Sequence, residues 1–277
     1  MSKGVLLFAS NNSTIDYVKQ ANWLAKRISN YMNLPTTLVT DTDVESKYVD
    51  SFDNIITIDS LKLQYANKRY YDGSISNKIL QFNNGNRAAA YELSPYDETI
   101  VMDTDFVVSN NILNSCFDQS KDFLIYDRAI HLGIHSGTSE FENISDTSVK
   151  FYWATVFFFR KTPLNKVFFD LVDHIQQNYL HYRSVYQFKS NVYRNDFAFS
   201  IAIHILNGYQ AGEFAGILPG THYYSIDKDV LQKIIDDEFT VLVEKPNRLG
   251  EYTLSKIKGS NLHVMNKFSL ERAIDNK

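Results

Sequence analysis

A single cysteine, Cys116, in 277 residues leaves no partner for an intramolecular disulfide and no basis for a cysteine-rich zinc site. It suits a chain that works in a reducing compartment. Positive charge is not in excess either. The 28 Lys and Arg stand against 32 Asp and Glu, a net charge of −4, which gives no support to non-specific nucleic-acid binding. No apolar run approaches the ~18–20 residues that span a bilayer, so no membrane span is expected. Met1 to Phe8 lacks a signal-peptide pattern, because Gly4-Val5-Leu6-Leu7-Phe8-Ala9 is short and runs into polar residues. The expected location is the cytoplasm. Neither G-x-G-x-x-G nor G-x-x-x-x-G-K-[ST] occurs, which leaves dinucleotide and P-loop readings without support. There is no internal repeat and no long linker, so one continuous domain over residues 1–277 is expected.

What is present fits an ordinary globular chain. Hydrophobic residues make up 44% and charged residues 22%. The 18 Tyr, 19 Phe and 2 Trp suit a large core, and they also suit surfaces that stack on sugars or bases. Val5 to Ala9 is a continuous apolar run, as in a strand buried on both faces. Ile15, Val18, Ala21, Ala25, Ile28 and Met32 recur at helical spacing, and Ser13 with Asp16 three residues on resembles a capping box. Pro35 to Thr40 reads as a strand ending at Asp41, Asn54 to Ile58 as one ending at Asp59, and Thr99 to Met102 as one running into Asp103-Thr104-Asp105. Residues 76 to 93 look helical. The first hundred residues thus predict β-α-β-β-α-β, a mixed but mainly parallel α/β sheet with helices on both faces. Ligands bind beyond the carboxyl ends of such strands, where Asn11, Asp41, Asp59 and Asp103 would sit. Farther on, Phe123 to Tyr126 and the aromatic Phe151 to Phe159 read as strands, 131 to 148 as a loop, Leu164 to Tyr179 as a helix and Asp196 to Leu206 as a buried helix. Late strands are expected at Val241 to Glu244 and at 252 to 264.

Asp103 and Asp105, at i and i+2 past a strand, can converge on one hard cation. Oxygen ligands favour Mg²⁺ or Mn²⁺. Such an ion would bridge a diphosphate and neutralise charge on a departing nucleotide. The bland alternative is a polar strand end with Asp105 capping a turn.

The stretch from Arg87 through Ser94-Pro95-Tyr96-Asp97 to Asp103-Thr104-Asp105 resembles the core of GT-A-fold glycosyltransferases, in which a helix, a proline turn and a strand lead to a D-x-D metal site. The resemblance leans toward the glycogenin-like and bacterial galactosyltransferase group, and the chain also resembles glycosyltransferases predicted in tailed-phage genomes. It implies a GT-A-like (Rossmann-like) fold with a nucleotide-binding half over 1–108. An acceptor-binding half and a closing C-terminal segment would occupy 109–277. It implies Mn²⁺ or Mg²⁺ as cofactor, a UDP-sugar as donor, retention at the anomeric carbon, and a hydroxyl acceptor. The acceptor classes it leaves open are a glycan, a protein, a small molecule or a modified DNA base.

In glycogenin-like enzymes a C-terminal His, a small residue and a Lys complete the metal site and hold the diphosphate. His263-Val264-Met265-Asn266-Lys267 resembles that segment, with Asn266 where the family has glycine and Phe268-Ser269 where it has Pro-Trp. One imidazole beside two carboxylates suits Mn²⁺, and Lys267 suits a phosphate. His222 is the other ligand candidate. Asn195 and Asp196 open a buried helix where the fold presents an acidic residue to the sugars. A helix N-terminus favours the ionised carboxyl, so Asp196 serves either as a base or orienting group or as a plain N-cap. Trp153, in Trp153-Ala154-Thr155, lies either against a sugar or in the core. For the nucleotide, Ala9, Ser10, Asn11 and Asn12 end the first strand and Asp41 the second, and Thr104 lies within the D-x-D. Arg87 pairs either with a phosphate or with Asp103. A nucleotidyltransferase and a non-catalytic sugar-nucleotide or carbohydrate-binding module are the rival functions. The first would need a Gly-rich phosphate loop where Ser10-Asn11-Asn12-Ser13 stands.

Overall fold

The structure is a computed structural model that describes residues 1–58, 65–72, 76–83, 87–132, 136–137, 142–146, 149–190, 192–225, 227–245, 248 and 250–276. Its first half contains β1 (Lys3–Ala9), α1 (Tyr17–Met32), β2 (Thr36–Thr40), α2 (Ser46–Val49), β3 (Asn54–Thr57), β4 (Tyr65–Asp72), β5 (Ser76–Asn83), α3 (Ala90–Leu93), β6 (Glu98–Met102), β7 (Phe106–Val107), β8 (Phe123–Tyr126), β9 (Ile130–His131) and β10 (Ser136–Gly137). There follow β11 (Trp153–Arg160), α4 (Pro163–Gln177), α5 (Tyr179–Tyr186), α6 (Asn195–Leu206), β12 (Gly216–Ile217), β13 (Tyr223–Ser225), β14 (Leu231–Ile235), β15 (Glu238–Glu244), β16 (Tyr252–Lys258), β17 (Leu262–Val264) and α7 (Lys267–Asp275).

The main sheet runs β12-β8-β11-β6-β1-β2-β3. β1 pairs in parallel with β2 and with β6, and β2 with β3, whereas β11 runs antiparallel to both β6 and β8. The fold is therefore mixed α/β with a mainly parallel central sheet, as the alternating pattern implied. The interior strands are apolar on both faces: Val5, Leu6, Leu7, Ile100, Val101, Met102 and Val156–Phe159 are all buried, as expected where helices cover a sheet. Gly4 lets the ring of Tyr96 lie against β1, where any side chain would overlap it. Tyr96 in turn hydrogen-bonds Thr37 at 2.9 Å, tying the Pro95 turn to β2. The register sets Ala9 beside Thr40 and Leu7 beside Met102, so Ser10, Asp41 and Asp103 leave the sheet at one edge.

A second sheet, β10-β9-β13-β17-β7, lies beyond that edge. β7 is the continuation of the D-x-D turn, and β17 pairs with it antiparallel, His263 opposite Phe106. Val264 N–H also donates to Asp105 O at 2.9 Å. This pairing carries a residue from near the chain end to the D-x-D. A three-stranded meander, β14-β15-β16, packs its Leu231, Ile234, Phe239 and Val241 into a second apolar cluster with Leu270 of α7.

Several local expectations are corrected. Ser76–Asn83 is a strand paired antiparallel with β4, not helix, and the helical part shrinks to a 3₁₀ turn at Arg87–Ala89 followed by α3. Isolated apolar runs such as Ile79-Leu80 do not separate strand from helix by spacing, and cross-strand pairing decides here. Ser13 does not cap α1. Asp16 does, its carboxylate accepting from Lys19 N at 2.8 Å. The stretch 131–148, expected as loop, contributes β9 and β10 to the second sheet. The helix expected over 164–179 is α4, Pro163–Gln177, and a further helix not expected, α5, follows it past Asn178. Asp59 lies outside the described residues. Among the described residues no helix is long and apolar enough to cross a membrane.

Candidate active site

β6 ends at Met102, and the chain turns at once: Phe106 N–H donates to Asp103 O at 3.0 Å, an i to i+3 closure. The turn aims both carboxylates to one side. β17 supplies His263 on that side, and the ligand atoms of Asp103, Asp105 and His263 all lie within 4.8 Å of one another. Asp105 is 3% exposed and His263 7%. His263 Nε2 lies 3.1 Å from Asp105 Oδ2, and its Nδ1 lies 3.4 Å from Thr155 Oγ1 on β11. A tautomer with Nδ1–H donated to Thr155 would free the Nε2 lone pair for a cation, the usual outer-shell arrangement of a ligating imidazole. Two carboxylate oxygens and one imidazole nitrogen at this spacing fit a small divalent cation such as Mn²⁺.

Lys267 also reaches Asp105: Nζ contacts Oδ2, and both side chains are buried. The residue stands at the start of α7. Asn266 is the N-cap, accepting from Ser269 N and donating to Asp227 O, both at 2.8 Å. Asn266 is thus a helix cap that sets the position of Lys267.

A second network joins the D-x-D to α6 through a bulge in β11. Trp153 faces Tyr126 and Phe157 faces Ile125, so β11 carries extra residues against β8. Bulges commonly re-aim chain beside functional sites and leave backbone groups to be satisfied elsewhere. Here Arg87 donates to Ala154 O and pairs with Asp103, Asp196 accepts from Ala154 N at 2.9 Å, and Asp103 N–H donates to Thr155 O at 2.9 Å. Asp196 Oδ2 is held by Arg194 at 2.7 Å. Burial pulls the Arg87 guanidinium down to about 10, with Asp196 pulling upward, so Arg87 is a cation at neutral pH. Of the two partners proposed for Arg87, the structure shows Asp103. Asp196 is not the N-cap of α6, since the cap position is Arg194. Its carboxylate makes tertiary bonds instead.

The other expected residues fall into two groups. Ala9, Ser10, Asn11, Asn12 and Asp41 lie together at the carboxyl edge, but much of their polarity is spent on the loop itself. Asn11 Oδ1 accepts from Val18 N, Asn12 Oδ1 from Thr14 N and Ile15 N, and Asp41 Oδ1 from the Thr42 hydroxyl. Thr104 is buried within the turn. Asn195 is buried and accepts from the Tyr193 hydroxyl at 3.1 Å. Trp153 is buried too, edge-on to Phe151 and 5.2 Å from the ring of Tyr224. His222 is not in the metal cluster. It is fully enclosed, its ring stacked on Tyr126, Phe106 and His263. Burial, with His263 adding to it, holds the His222 imidazole well below its usual value, so it is neutral. Cys116 is buried as well, its thiol pushed up to about 12, which removes it as a nucleophile. Sequence reasoning gave no role to Arg194, whose bond to Asp196 is two residues away. Only the clustering of Arg194, Asn195 and Asp196 hinted at it.

This network alters what replacement of Asp196 should do. Asp196→Asn keeps an acceptor for Ala154 N but loses the Arg194 pair and a negative charge near the half-buried Arg87. The expected result is a loss of about 1–3 kcal/mol, read as a lower melting temperature, together with reduced turnover. An unchanged melting temperature with turnover down ~10²-fold or more would instead mark a group acting directly on substrate.

No protein-family model matches this chain, and no curated protein matches it. Solved glycosyltransferase structures do align with it. The glycosyltransferase GlyE of Streptococcus pneumoniae TIGR4 is 11% identical with a TM-score of 0.44, over 79% of this chain and 45% of that one. The galactosyltransferase LgtC, in complex with donor and acceptor sugar analogs, is 13% identical with a TM-score of 0.41, over 72% and 70%. The WbbM bifunctional glycosyltransferase is 12% identical with a TM-score of 0.37, over 63% and 34%. The chain spans less than half the length of the pneumococcal enzyme it matches. Scores below 0.5 leave the fold to rest on its own sheet order and the chemistry on the site's own geometry.

Proposed function

We propose that the chain is a metal-dependent glycosyltransferase that moves a sugar from a nucleoside diphosphate, a UDP-sugar in the first instance, to a hydroxyl acceptor. The observation that carries this is the convergence of Asp103, Asp105 and His263 at the carboxyl edge of a mainly parallel sheet, with the buried Lys267 ammonium on the same carboxylate. Asp103, Asp105 and His263 would hold Mn²⁺ or Mg²⁺, which when bound offsets the charge of a leaving diphosphate. Lys267 would share that work by binding a phosphate oxygen. Arg87 pairs with Asp103 and holds it in place, and Asp196 with Arg194 fixes the Ala154–Thr155 bulge. We assign Asp196, Asn195 and Trp153 to holding the acceptor-side wall. Ser10, Asn11, Asn12 and Asp41 face the nucleoside. In the transfer, the bond from the anomeric carbon to the diphosphate oxygen breaks, a bond to the acceptor oxygen forms, and the acceptor's proton passes to the departing diphosphate or to solvent. Retention at the anomeric carbon is the stereochemistry proposed from the family resemblance.

The test is release of UDP from a panel of UDP-sugars in Mn²⁺, with a hydroxyl acceptor or water. EDTA should abolish release, and added Mn²⁺ should restore it. Full release in EDTA would sink the metal-dependent scheme. Release of pyrophosphate from UTP and a sugar 1-phosphate, with no UDP released from the UDP-sugars, would identify a nucleotidyltransferase, and binding without turnover a non-catalytic module.

A further inference from the structure

Asp105 is asked to serve two cations. Its carboxylate belongs to the three-residue cluster with Asp103 and His263, and the same oxygen is taken by Lys267 Nζ. Both side chains are nine-tenths or more buried, at 4% exposure for Asp105 and 6% for Lys267. A dication and an ammonium at one buried oxygen repel at contact range, where water screens poorly. They therefore compete. We infer that Lys267 and the divalent ion are alternative partners of Asp105, and that a diphosphate group makes room for the ion by drawing the ammonium onto its own oxygens.

The geometry around Lys267 suits an exchange of partners. Its backbone is fixed, because Asn266 caps α7 and Val264 N–H is bonded to Asp105 O. The flexible four-carbon stem allows the head to turn to a neighbouring anion while the helix stays put. The start of α7, a nine-residue helix, adds a favourable end for anionic oxygens. Arg87 on Asp103 differs. It also holds Ala154 O in the bulge, so its departure would leave a backbone acceptor unmet. One carboxylate of the pair thus has a fixed counter-ion and the other an exchangeable one. The consequence is coupling: a diphosphate nucleotide raises affinity for the ion, and by reciprocity the ion raises affinity for the nucleotide by the same factor. Direct ligation of the ion by phosphate also couples the two, so only the part that vanishes with the ammonium belongs to Lys267.

The inference rests on the metal site proposed above, and one experiment separates the two. Free Mn²⁺ is titrated by its electron paramagnetic resonance signal against the parent, Lys267→Met, Lys267→Gln and Asp105→Asn, each with and without UDP. Without UDP, the Met and Gln variants should bind Mn²⁺ at least ~10-fold more tightly than the parent, and UDP should then enhance Mn²⁺ binding at least ~5-fold less than it does in the parent, within the usual span of coupling between sites. The Gln variant keeps a polar head and decides the matter if the Met variant does not fold. Variants that bind Mn²⁺ no more tightly than the parent, while Asp105→Asn binds none, would overturn the exchange and leave the metal site standing. A parent that binds no Mn²⁺ in either condition would overturn both.

Discussion

Asp105→Asn is expected to cost at least ~10²-fold in turnover, the scale on which one preorganised electrostatic group acts, and to destabilise the fold as well. The second effect follows from burial. Asp105 is the ion-pair partner of Lys267, and both lie out of solvent. Breaking a buried pair by removing one member costs about 3–5 kcal/mol, because the other charge stays behind without compensation. A double variant, Asp105→Asn with Lys267→Met, separates the two effects. Replacing both charges should recover most of the stability, since Met refills the volume of the lysine stem. Turnover should not recover. Melting temperatures and UDP release measured on the three proteins side by side check this. Recovery of turnover in the double variant would show that Asp105 matters for folding alone.

The second large effect is expected at Arg87. Its guanidinium pairs with Asp103, satisfies the Ala154 carbonyl in the β11 bulge, and feels Asp196 across the network. Arg87→Met should leave an unpaired carboxylate at the D-x-D and an unmet carbonyl in the bulge. A cost of about 3 kcal/mol, the upper end for hydrogen bonds lost to a charged group, follows from the unmet Ala154 carbonyl and the half-buried Asp103 carboxylate. That corresponds to roughly 6–12 °C in melting temperature at about 2–4 °C per kcal/mol for domains of roughly 150–250 residues. Turnover should fall with it, since Asp103 loses the group that orients it. Arg87→Lys should recover little, because an ammonium cannot make the forked contact to both partners. A Lys variant with parental stability and turnover would show that charge alone, without the two-point geometry, is what the site requires.

Much of this arrangement could be read from the residues, for identifiable reasons. β1, β2, β3 and β6 are short apolar runs that end in polar residues, so their type and their common edge followed from local pattern. The D-x-D was legible because it stands directly after the buried apolar run Ile100-Val101-Met102. His263 and Lys267 were reached through resemblance to a family segment, not through spacing, since no local rule links residue 105 to residue 263. β7 and β17 provide that link. What escaped was tertiary. The β4–β5 hairpin looks helical in part because Ile79 and Leu80 give no clear period, and the partner strand settles the matter. Asp196 reads locally as a cap, yet its carboxylate bonds Ala154 N across 42 residues. Arg87 reads as a phosphate ligand or an Asp103 partner with equal ease. Its bond to Ala154 O in the bulge, beside the contact with Asp103, is visible only once β11 has paired with β6 and β8.

In the proposed site Asp103, Asp105 and His263 together hold one divalent cation. Equilibrium dialysis against Mn²⁺ in the presence of UDP, followed by metal analysis, addresses it most directly. It should be run on the parent and on Asp103→Asn, Asp105→Asn and His263→Ala, each first shown to be folded by circular dichroism. One Mn²⁺ per chain is expected in the parent, bound at least ~10-fold more weakly in the His263 variant, the lower end of what loss of a supporting group costs a metal site, and lost in the Asp105 variant. Retention of one ion per chain at parental affinity in all three variants, or no ion in the parent, would contradict it.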